Sequence, residues 1–293
     1  MMKIKIKNSK PLISIIMNCY NGERFLKSAI DSVYDQTYKN WEIIFWDNAS
    51  NDTSSTIARS YDQKVKYFVS NETTNLGCAR LLASEKVSGE YIAFLDCDDL
   101  WLPHKLENQI KLFETSNTRL GLGLVYGQCE AFYSDTKKRS HILSGGEKLP
   151  EGEIFSELAK RNFIPFVSAM VKKSVFLECG GFDNHLKHSP DYALFLNIAH
   201  KYPVGALQEI CCKYRIHKSN LTNFLKLTAA EESLEIVSAF LPDKLAIEGI
   251  KHQNIKLILA LIREKRVIAA VKIIYKSKNL IMLLKYILRK YYQ

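Results

Sequence analysis

Three carboxylates stand close together in Asp96-Cys97-Asp98-Asp99, directly after the apolar run of residues 91–95. Such a short apolar run predicts a strand that is buried on both faces of a sheet. Carboxylates at the end of a buried strand repel one another and are costly to desolvate. A hard cation such as Mg2+ or Mn2+ would remove that penalty and could share its oxygen ligands with a diphosphate. A helix cap near Leu102 would explain one of the three acids, so the other two need another explanation.

Strands and helices alternate before this stretch. The sequence predicts strands at residues 12–17, 41–46 and 65–69, and helices at 23–36, 55–61 and 80–87. This alternation predicts βαβ units and a mostly parallel sheet, in which ligands bind at the carboxyl ends of the strands. Neither G-x-G-x-x-G nor G-x-x-x-x-G-K-[ST] is present, which argues against a dinucleotide-binding fold and a P-loop NTPase.

The following residues predict less regular structure. A helix is expected at 105–113, strands at 120–126, 128–133, 167–171 and 210–214, and helices at 153–161 and from Asp191 onward. Their order no longer alternates cleanly.

Composition sets broad limits. The chain has 293 residues, of which 47% are hydrophobic, and a formal net charge of +10, which favours phosphate-bearing partners. Its seven cysteines form no C-x-x-C pair, which argues against zinc. The N-terminal residues have no apolar region typical of a signal peptide, and no apolar run approaches the ~18 residues of a spanning helix. We therefore expect a cytoplasmic protein.

Six sequence motifs occur in a fixed order. They are Leu12 to Ile16 with Tyr20-Asn21, Asp47 to Thr53, Asn75 to Gly77 with Ala79-Arg80, Gly89 to Asp99, Gly180 to Asp183 with Asp191-Tyr192, and Tyr214 to His217. Together they resemble the family-2 inverting glycosyltransferases over about residues 11–221. The resemblance implies an α/β GT-A fold, Rossmann-like, with a mostly parallel central sheet flanked by helices.

The same resemblance assigns roles to individual residues. It implies that the donor nucleotide-sugar, a UDP-sugar, is bound by Tyr20, Asn21, Asp47, Arg80, Asp96 and Arg215. It implies that Mn2+ or Mg2+ is bound by Asp98, Asp99 and His217, although the division of roles among the three aspartates stays open. Simpler interpretations stand beside these: Asp47 is also a typical turn residue, Arg80 a typical solvated helix residue, and a lone histidine is usually structural.

Asp191 matches the position of the catalytic base in that family. It follows Gly180-Gly181-Phe182-Asp183, and Pro190 replaces a second acid that is common there. A base at this position would deprotonate an acceptor hydroxyl as it attacks the anomeric carbon, with inversion. An acid at a helix start is also favoured by the helix dipole alone.

The tail, residues 223–293, differs in composition. From Lys251 onward it contains eleven Lys or Arg residues and one acid, Glu264. Helices are predicted at 255–262, 267–275 and 280–288. Either they form a C-terminal helical extension packed on the catalytic domain of residues 1–222, or their basic and apolar faces lie on an anionic membrane. The second alternative would place the protein at the inner face of the cytoplasmic membrane, whereas no motif supports nucleic-acid binding.

The sequence thus predicts a metal-dependent glycosyltransferase that acts on a glycan or lipid-linked acceptor in envelope polysaccharide synthesis. One alternative is a nucleotidyltransferase that makes nucleotide-sugars, although the loop at residues 18–22 lacks the Gly/Arg/Lys-rich character this needs. The other is a non-catalytic nucleotide-sugar-binding protein, against which the intact set of aspartates argues.

Overall fold

The computed structural model describes residues 10–136, 138–221 and 226–277. Its first half alternates strands and helices as predicted: β1 (Ile13–Cys19), α1 (Glu23–Tyr34), β2 (Trp41–Asp47), α2 (Ser54–Arg59), β3 (Val65–Val69), α3 (Leu76–Ser84) and β4 (Tyr91–Phe94). These four strands are parallel and lie in the order β3-β2-β1-β4. Their carboxyl ends meet at one edge, where Cys19 pairs with Asp47 and the aspartate-rich loop follows β4.

The second half of the sheet mixes parallel and antiparallel strands. It contains β5 (Leu100–Trp101), α4 (Lys105–Thr115), β6 (Leu124–Tyr133), β7 (His141–Ile142), α5 (Phe155–Lys160), a 3-10 turn (Phe166–Ser168), β8 (Met170–Lys172), α6 (Lys173–Glu178), α7 (Pro190–Lys201) and β9 (Val204–Ile216). The order continues β4-β8-β6-β9-β5, with β7 beside β6. β8 is antiparallel to both of its neighbours, whereas β6 and β9 are parallel. Such mixed sheets are common in α/β folds.

Several local predictions were wrong, including the strand expected at 167–171, where a 3-10 turn (Phe166–Ser168) precedes β8. The helix predicted at 80–87 starts earlier, at Leu76, because the Asn75 side chain accepts a hydrogen bond from the Cys78 N–H and caps the first turn. The strands predicted at 120–126 and 128–133 are one strand, β6, whose register against β9 shifts on either side of Gln128. A bulge at this point lets the chain bend without ending the strand.

Among the described residues after the last strand lie the helices α8 (Lys226–Ser238), α9 (Lys244–Arg263) and α10 (Val267–Ser277). Two predicted tail helices are confirmed, although α9 begins earlier because Asp243 accepts a hydrogen bond from the Leu245 N–H. The helix predicted at 280–288 lies outside the described residues. α9 packs closely on α5, since a Cβ at Gly249 would lie 2.7 Å from the Ala159 Cβ.

Two apolar clusters cover the two faces of the sheet. Neighbouring residues of β1 point to opposite sides, so that Ile15 belongs to one cluster and Ile16 to the other. This two-sided burial fixes the strands and therefore the loops at their carboxyl ends. In the part of the chain that the structure describes, no helix has the length and apolar character to cross a membrane.

Candidate active site

Arg80 lies between two acids at the carboxyl edge of the sheet. Asp96, which follows β4, and Asp191, in the first turn of α7, each place an oxygen 3.4 Å from a guanidinium nitrogen. The guanidinium is buried and lies over the Phe166 ring, 3.5 Å from its centroid. Both ion-pair distances are long for hydrogen bonds, so the guanidinium keeps donor capacity for phosphate oxygens. The predicted base and a predicted donor-binding acid thus flank one cation.

Negative charge accumulates around Asp96. The pKa of Asp96 is raised to about 6, chiefly because the carboxyl is desolvated. The Arg80 guanidinium lowers this pKa, whereas the Asp98 and Asp191 carboxylates raise it. Solvent still reaches 33% of the Asp96 side chain, so the carboxyl remains accessible to a ligand. One guanidinium therefore does not balance the acids at this edge, and an additional cation would be stabilised here.

Asp98 contacts His217, although the two residues are far apart in sequence. The Asp98 Oδ2 lies 2.9 Å from His217 Nε2, and His217 Nδ1 lies 2.8 Å from the Ser219 hydroxyl. The imidazole is buried, and the Asn220 side chain accepts a hydrogen bond from the His217 main-chain N–H and places its amide nitrogen beside Nε2. When Nδ1 carries the proton and donates to Ser219, the Nε2 lone pair can accept from the Asn220 amide at 3.2 Å or bind a cation in its place, an arrangement typical of metal-binding histidines.

Asp99 and Arg215 have different surroundings from Asp98. The Asp99 side chain is buried, and its Oδ1 accepts a hydrogen bond from the Arg215 N–H, while Oδ2 has no partner among the described residues. Burial, aided by Asp98 and Asp96, raises the pKa of Asp99 well above its usual range. Arg215 donates from Nε to the Asp98 carbonyl and lies between the rings of Phe25 and Phe132. These contacts fix the aspartate-rich loop against β9.

The loops that follow β1 and β2 contact each other beside the aspartate-rich loop. Asn21, whose φ of 53° is left-handed, accepts a hydrogen bond from the Asn51 N–H and donates its own N–H to the Ser50 hydroxyl. Asp47 is buried and accepts hydrogen bonds from the Ser50 N–H and the Tyr67 hydroxyl. The sequence predicted Asp47 as a donor-binding or turn residue, and the structure shows in addition that the loop after β2 is hydrogen-bonded to the loop after β1.

Tyr20 lies at the entrance to these loops. Its side chain is 53% exposed, and it directly follows β1. An exposed aromatic ring at the carboxyl edge of the sheet is available for stacking on a flat base. The structure therefore brings all the sequence-predicted site residues to this edge, some exposed and some buried beneath it.

The donor set at this edge fits a divalent cation in part. Within the described ranges, no group of three or more His, Cys, Asp or Glu residues is arranged to hold a metal ion. The Asp98–His217 pair can supply one oxygen and one nitrogen, and Asp96 adds an accessible carboxyl nearby. Mg2+ typically takes one or two protein carboxylates together with substrate phosphates and water, so a two-residue site suits a metal that arrives with a diphosphate.

Two tail helices hold the start of α7, which carries Asp191. Glu232 of α8 is buried and accepts hydrogen bonds from the N–H groups of Lys187, His188 and Ser189, at 2.6, 3.1 and 2.8 Å. Gln253 of α9 is also buried and donates to the Tyr192 hydroxyl.

Sequence reasoning missed both Glu232 and Gln253, although each is a polar residue on the inner, apolar face of an amphipathic helix. That placement is the signal that could have found them.

The family model for glycosyl transferase family 2 matches residues 14–180. The chain therefore belongs to this family and is a glycosyltransferase, so the nucleotidyltransferase and non-catalytic alternatives are wrong.

Among its relatives is an Escherichia coli protein named UDP-Glc:alpha-D-GlcNAc-diphosphoundecaprenol beta-1,3-glucosyltransferase WfgD. It is 29% identical over 238 residues, which cover 80% of this chain and 88% of that protein.

Solved structures show the same fold at low sequence identity. Staphylococcus aureus TarS 1-349 in complex with UDP-GlcNAc superposes with a TM-score of 0.64 and 16% identity, covering 85% of this chain and 71% of that one. The mannosyltransferase PcManGT from Pyrobaculum calidifontis, in complex with GDP-Man and Mn2+, gives 0.63 and 18%, covering 93% and 76%. These similarities confirm the GT-A fold.

Proposed function

We propose that this glycosyltransferase transfers a sugar from a UDP-sugar to a glycan or lipid-linked acceptor, with inversion and with Mn2+ or Mg2+ bound. One observation carries the proposal: Arg80 lies between Asp96 and Asp191, next to the Asp98–His217 pair, at the carboxyl edge of the parallel strands. The donor, the cation and the base would thus lie at one edge of the sheet, so their charges can act on the bond between the sugar and the diphosphate.

The donor half of the site would use residues on the first two loops. The exposed Tyr20 ring would stack on the base, and Asp47, with lone pairs left on both oxygens, would accept the uracil N–H. Asn21 would keep the two loops together, and Asp96 would bind the ribose. WfgD is named for UDP-Glc and TarS was solved with UDP-GlcNAc, whereas PcManGT holds GDP-Man, so UDP is the proposal that these names favour.

The diphosphate would lie against cationic groups. Asp98 and His217 would hold the divalent cation, with Ser219 fixing the imidazole tautomer, and we assign Asp99 and Arg215 to positioning these ligands. When bound, the cation neutralises the departing diphosphate. Arg80 would then exchange its long contacts with the two acids for shorter ones with phosphate oxygens.

Asp191 would act as the general base. Its side chain is 18% exposed, so an acceptor hydroxyl can reach it, and Arg80 contacts one of its oxygens until the diphosphate takes that contact over. The base would take the hydroxyl proton as that oxygen attacks the anomeric carbon from the side opposite the diphosphate. A single base with a leaving group that needs no protonation gives inversion in one displacement.

The acceptor is proposed from the relatives and the tail. WfgD is named for a diphosphoundecaprenol acceptor, which favours a lipid-linked acceptor and a role in envelope polysaccharide synthesis. On α10, Ile268, Val271 and Tyr275 are exposed along one stripe beside Lys272 and Lys276. A basic helix with an exposed apolar stripe suits a peripheral position at the inner face of the cytoplasmic membrane.

The test compares two substitutions of aspartate by asparagine. Asp191→Asn removes the proton acceptor, and a positioned base contributes about 10²–10⁴-fold in rate, so transfer should fall by that factor while UDP affinity is unchanged. Asp183→Asn is the control, because Asp183 accepts a hydrogen bond from the His185 N–H within a surface turn.

A panel of nucleotide-sugars, screened first by binding, supplies the donor. Normal transfer by Asp191→Asn, or loss of transfer only in Asp183→Asn, would show that the base is misassigned.

A further inference from the structure

A basic pocket opens beside the start of α7. It encloses about 200 Å³ and is lined by His188, Lys226, Ala229, Lys256, Ala260 and Arg263. Its walls come from α8, α9 and the segment before α7, so it is formed by residues that the sequence assigned to separate regions. The two alanines leave space in front of the longer basic side chains.

The positive charge of this pocket is not balanced by its own lining, which contains no carboxylate. Lys256 donates to the neutral Ser233 hydroxyl at 3.0 Å, and the Asp191 carboxylate, outside the pocket lining, favours its charged form. Lys226 and Arg263 form no ion pair within the part of the chain that the structure describes. The nearby Glu232 already accepts three backbone hydrogen bonds. Basic side chains that converge with no carboxylate in the pocket lining favour binding of an anion.

The pocket lies close to the proposed base. His188 stands three residues before Asp191, and Lys256 lies one turn after Gln253, which contacts the residue following Asp191. Burial lowers the pKa of Lys256 and of His188, and the Asp191 carboxylate acts in the opposite direction on both. A ligand held here would therefore be near the hydroxyl that Asp191 activates.

We propose that this pocket binds the phosphate or diphosphate group of the acceptor, and so places the acceptor's sugar hydroxyl at Asp191. The inference rests on the proposed function, because it names what that acceptor must carry. The volume supports it: about 200 Å³ is below the range of roughly 300–1,000 Å³ that is usual for whole small-molecule sites, and suits a compact anion. Lysine and arginine are suitable donors to phosphate oxygens.

Inorganic pyrophosphate is a suitable probe, titrated into the full-length protein by calorimetry in the presence of a chelator. The double variant Lys256→Met with Arg263→Met should weaken pyrophosphate binding about tenfold or more, since it removes two charge-assisted contacts. Lys244→Met is the matched control, because Lys244 is exposed on the same helix outside the pocket lining. Lys226→Met, at the opposite wall, provides a second variant should the double variant fold poorly.

Several outcomes would overturn the inference: no pyrophosphate binding by the wild type, equal weakening in Lys244→Met, or no weakening in either pocket variant. A second arm uses micelles of short-chain phosphatidylglycerol. If the pocket variants lose binding to these micelles and keep pyrophosphate binding, the pocket serves membrane headgroups and the acceptor assignment is wrong. UDP binding with Mn2+, measured in the same samples, reports separately on the proposed function and should not change in the pocket variants.

Discussion

Glu232 offers a direct way to disturb the proposed base without touching it. Glu232→Gln keeps the size of the side chain but replaces one carboxylate oxygen by an amide NH2, which cannot accept a hydrogen bond. The side chain accepts from three N–H groups directly before α7 and is 7% exposed, so at least one buried donor loses its acceptor. Each such loss costs about 1–3 kcal/mol, and removing an anion near a helix start costs about 0.3–1 kcal/mol more.

The expected loss of unfolding free energy is therefore about 1–4 kcal/mol, which leaves a typical domain folded at 25 °C. Urea unfolding measures this change, and a transfer assay measures turnover. Turnover should fall because the segment that leads into Asp191 loses its anchor, whereas UDP affinity should stay the same. Glu231→Gln, at an exposed neighbouring position of α8, is the control and should change neither quantity. If Glu232→Gln behaves like the control, or loses stability while keeping full turnover, α8 does not position the base.

Two further predictions concern the stability at acidic pH and the tail. Glu42 is buried, and although burial raises its pKa, hydrogen bonds from Lys66, Ser14 and Ser88 together lower it below the ordinary value. Its stabilising contribution is thus present above the unfolded-state pKa and is lost as the pH falls through the lower, folded-state value. Urea titrations at a series of pH values should show that Glu42→Gln is less stable than the wild type at neutral pH and that its stability falls less in acid. If the stability of Glu42→Gln depends on pH as that of the wild type does, this prediction is wrong. On α10, the double variant Ile268→Ser with Val271→Ser should bind anionic vesicles about tenfold or more weakly at low salt, as measured by sedimentation with the vesicles. The reason is that each aliphatic side chain buried in the membrane contributes about 1.5–3 kcal/mol. Leu177→Ser on α6, which changes an exposed leucine elsewhere, should not weaken vesicle binding. Wild-type protein that ignores such vesicles would contradict the membrane proposal.

The first half of the fold could be predicted from local sequence alone. Residues 12–17, 41–46 and 65–69 are mainly apolar runs between polar loops, and each matches an observed strand to within a residue at its start. The position of Asp96 after β4 follows from the same pattern, because a parallel strand places its following loop at the ligand edge. Periodicity did not reveal the length of β6, since the bulge at Gln128 interrupts the pattern without ending the strand.

The support around the base could not be predicted, because it depends on long-range contacts. Glu232 and Gln253 read as ordinary helix residues until α8 and α9 are placed against α5 and α7. Arg80 was expected to bind the donor, yet its two ion pairs with acids distant in sequence depend on how α3 packs. Likewise the contact of Asp98 with His217 joins two ends of the site that spacing alone cannot relate.

The central claim is that Asp98 and His217 hold a divalent cation that binds the nucleotide diphosphate. Calorimetric titration of UDP, with Mn2+ and with chelator, tests it most directly on wild-type protein and on Asp98→Asn, with Asp183→Asn as the folded control. We expect wild-type protein and the control to bind UDP more tightly with Mn2+, and we expect Asp98→Asn to show little difference between the two conditions. Equal UDP affinity with and without metal in the wild type, or a full metal effect in Asp98→Asn, would contradict the account.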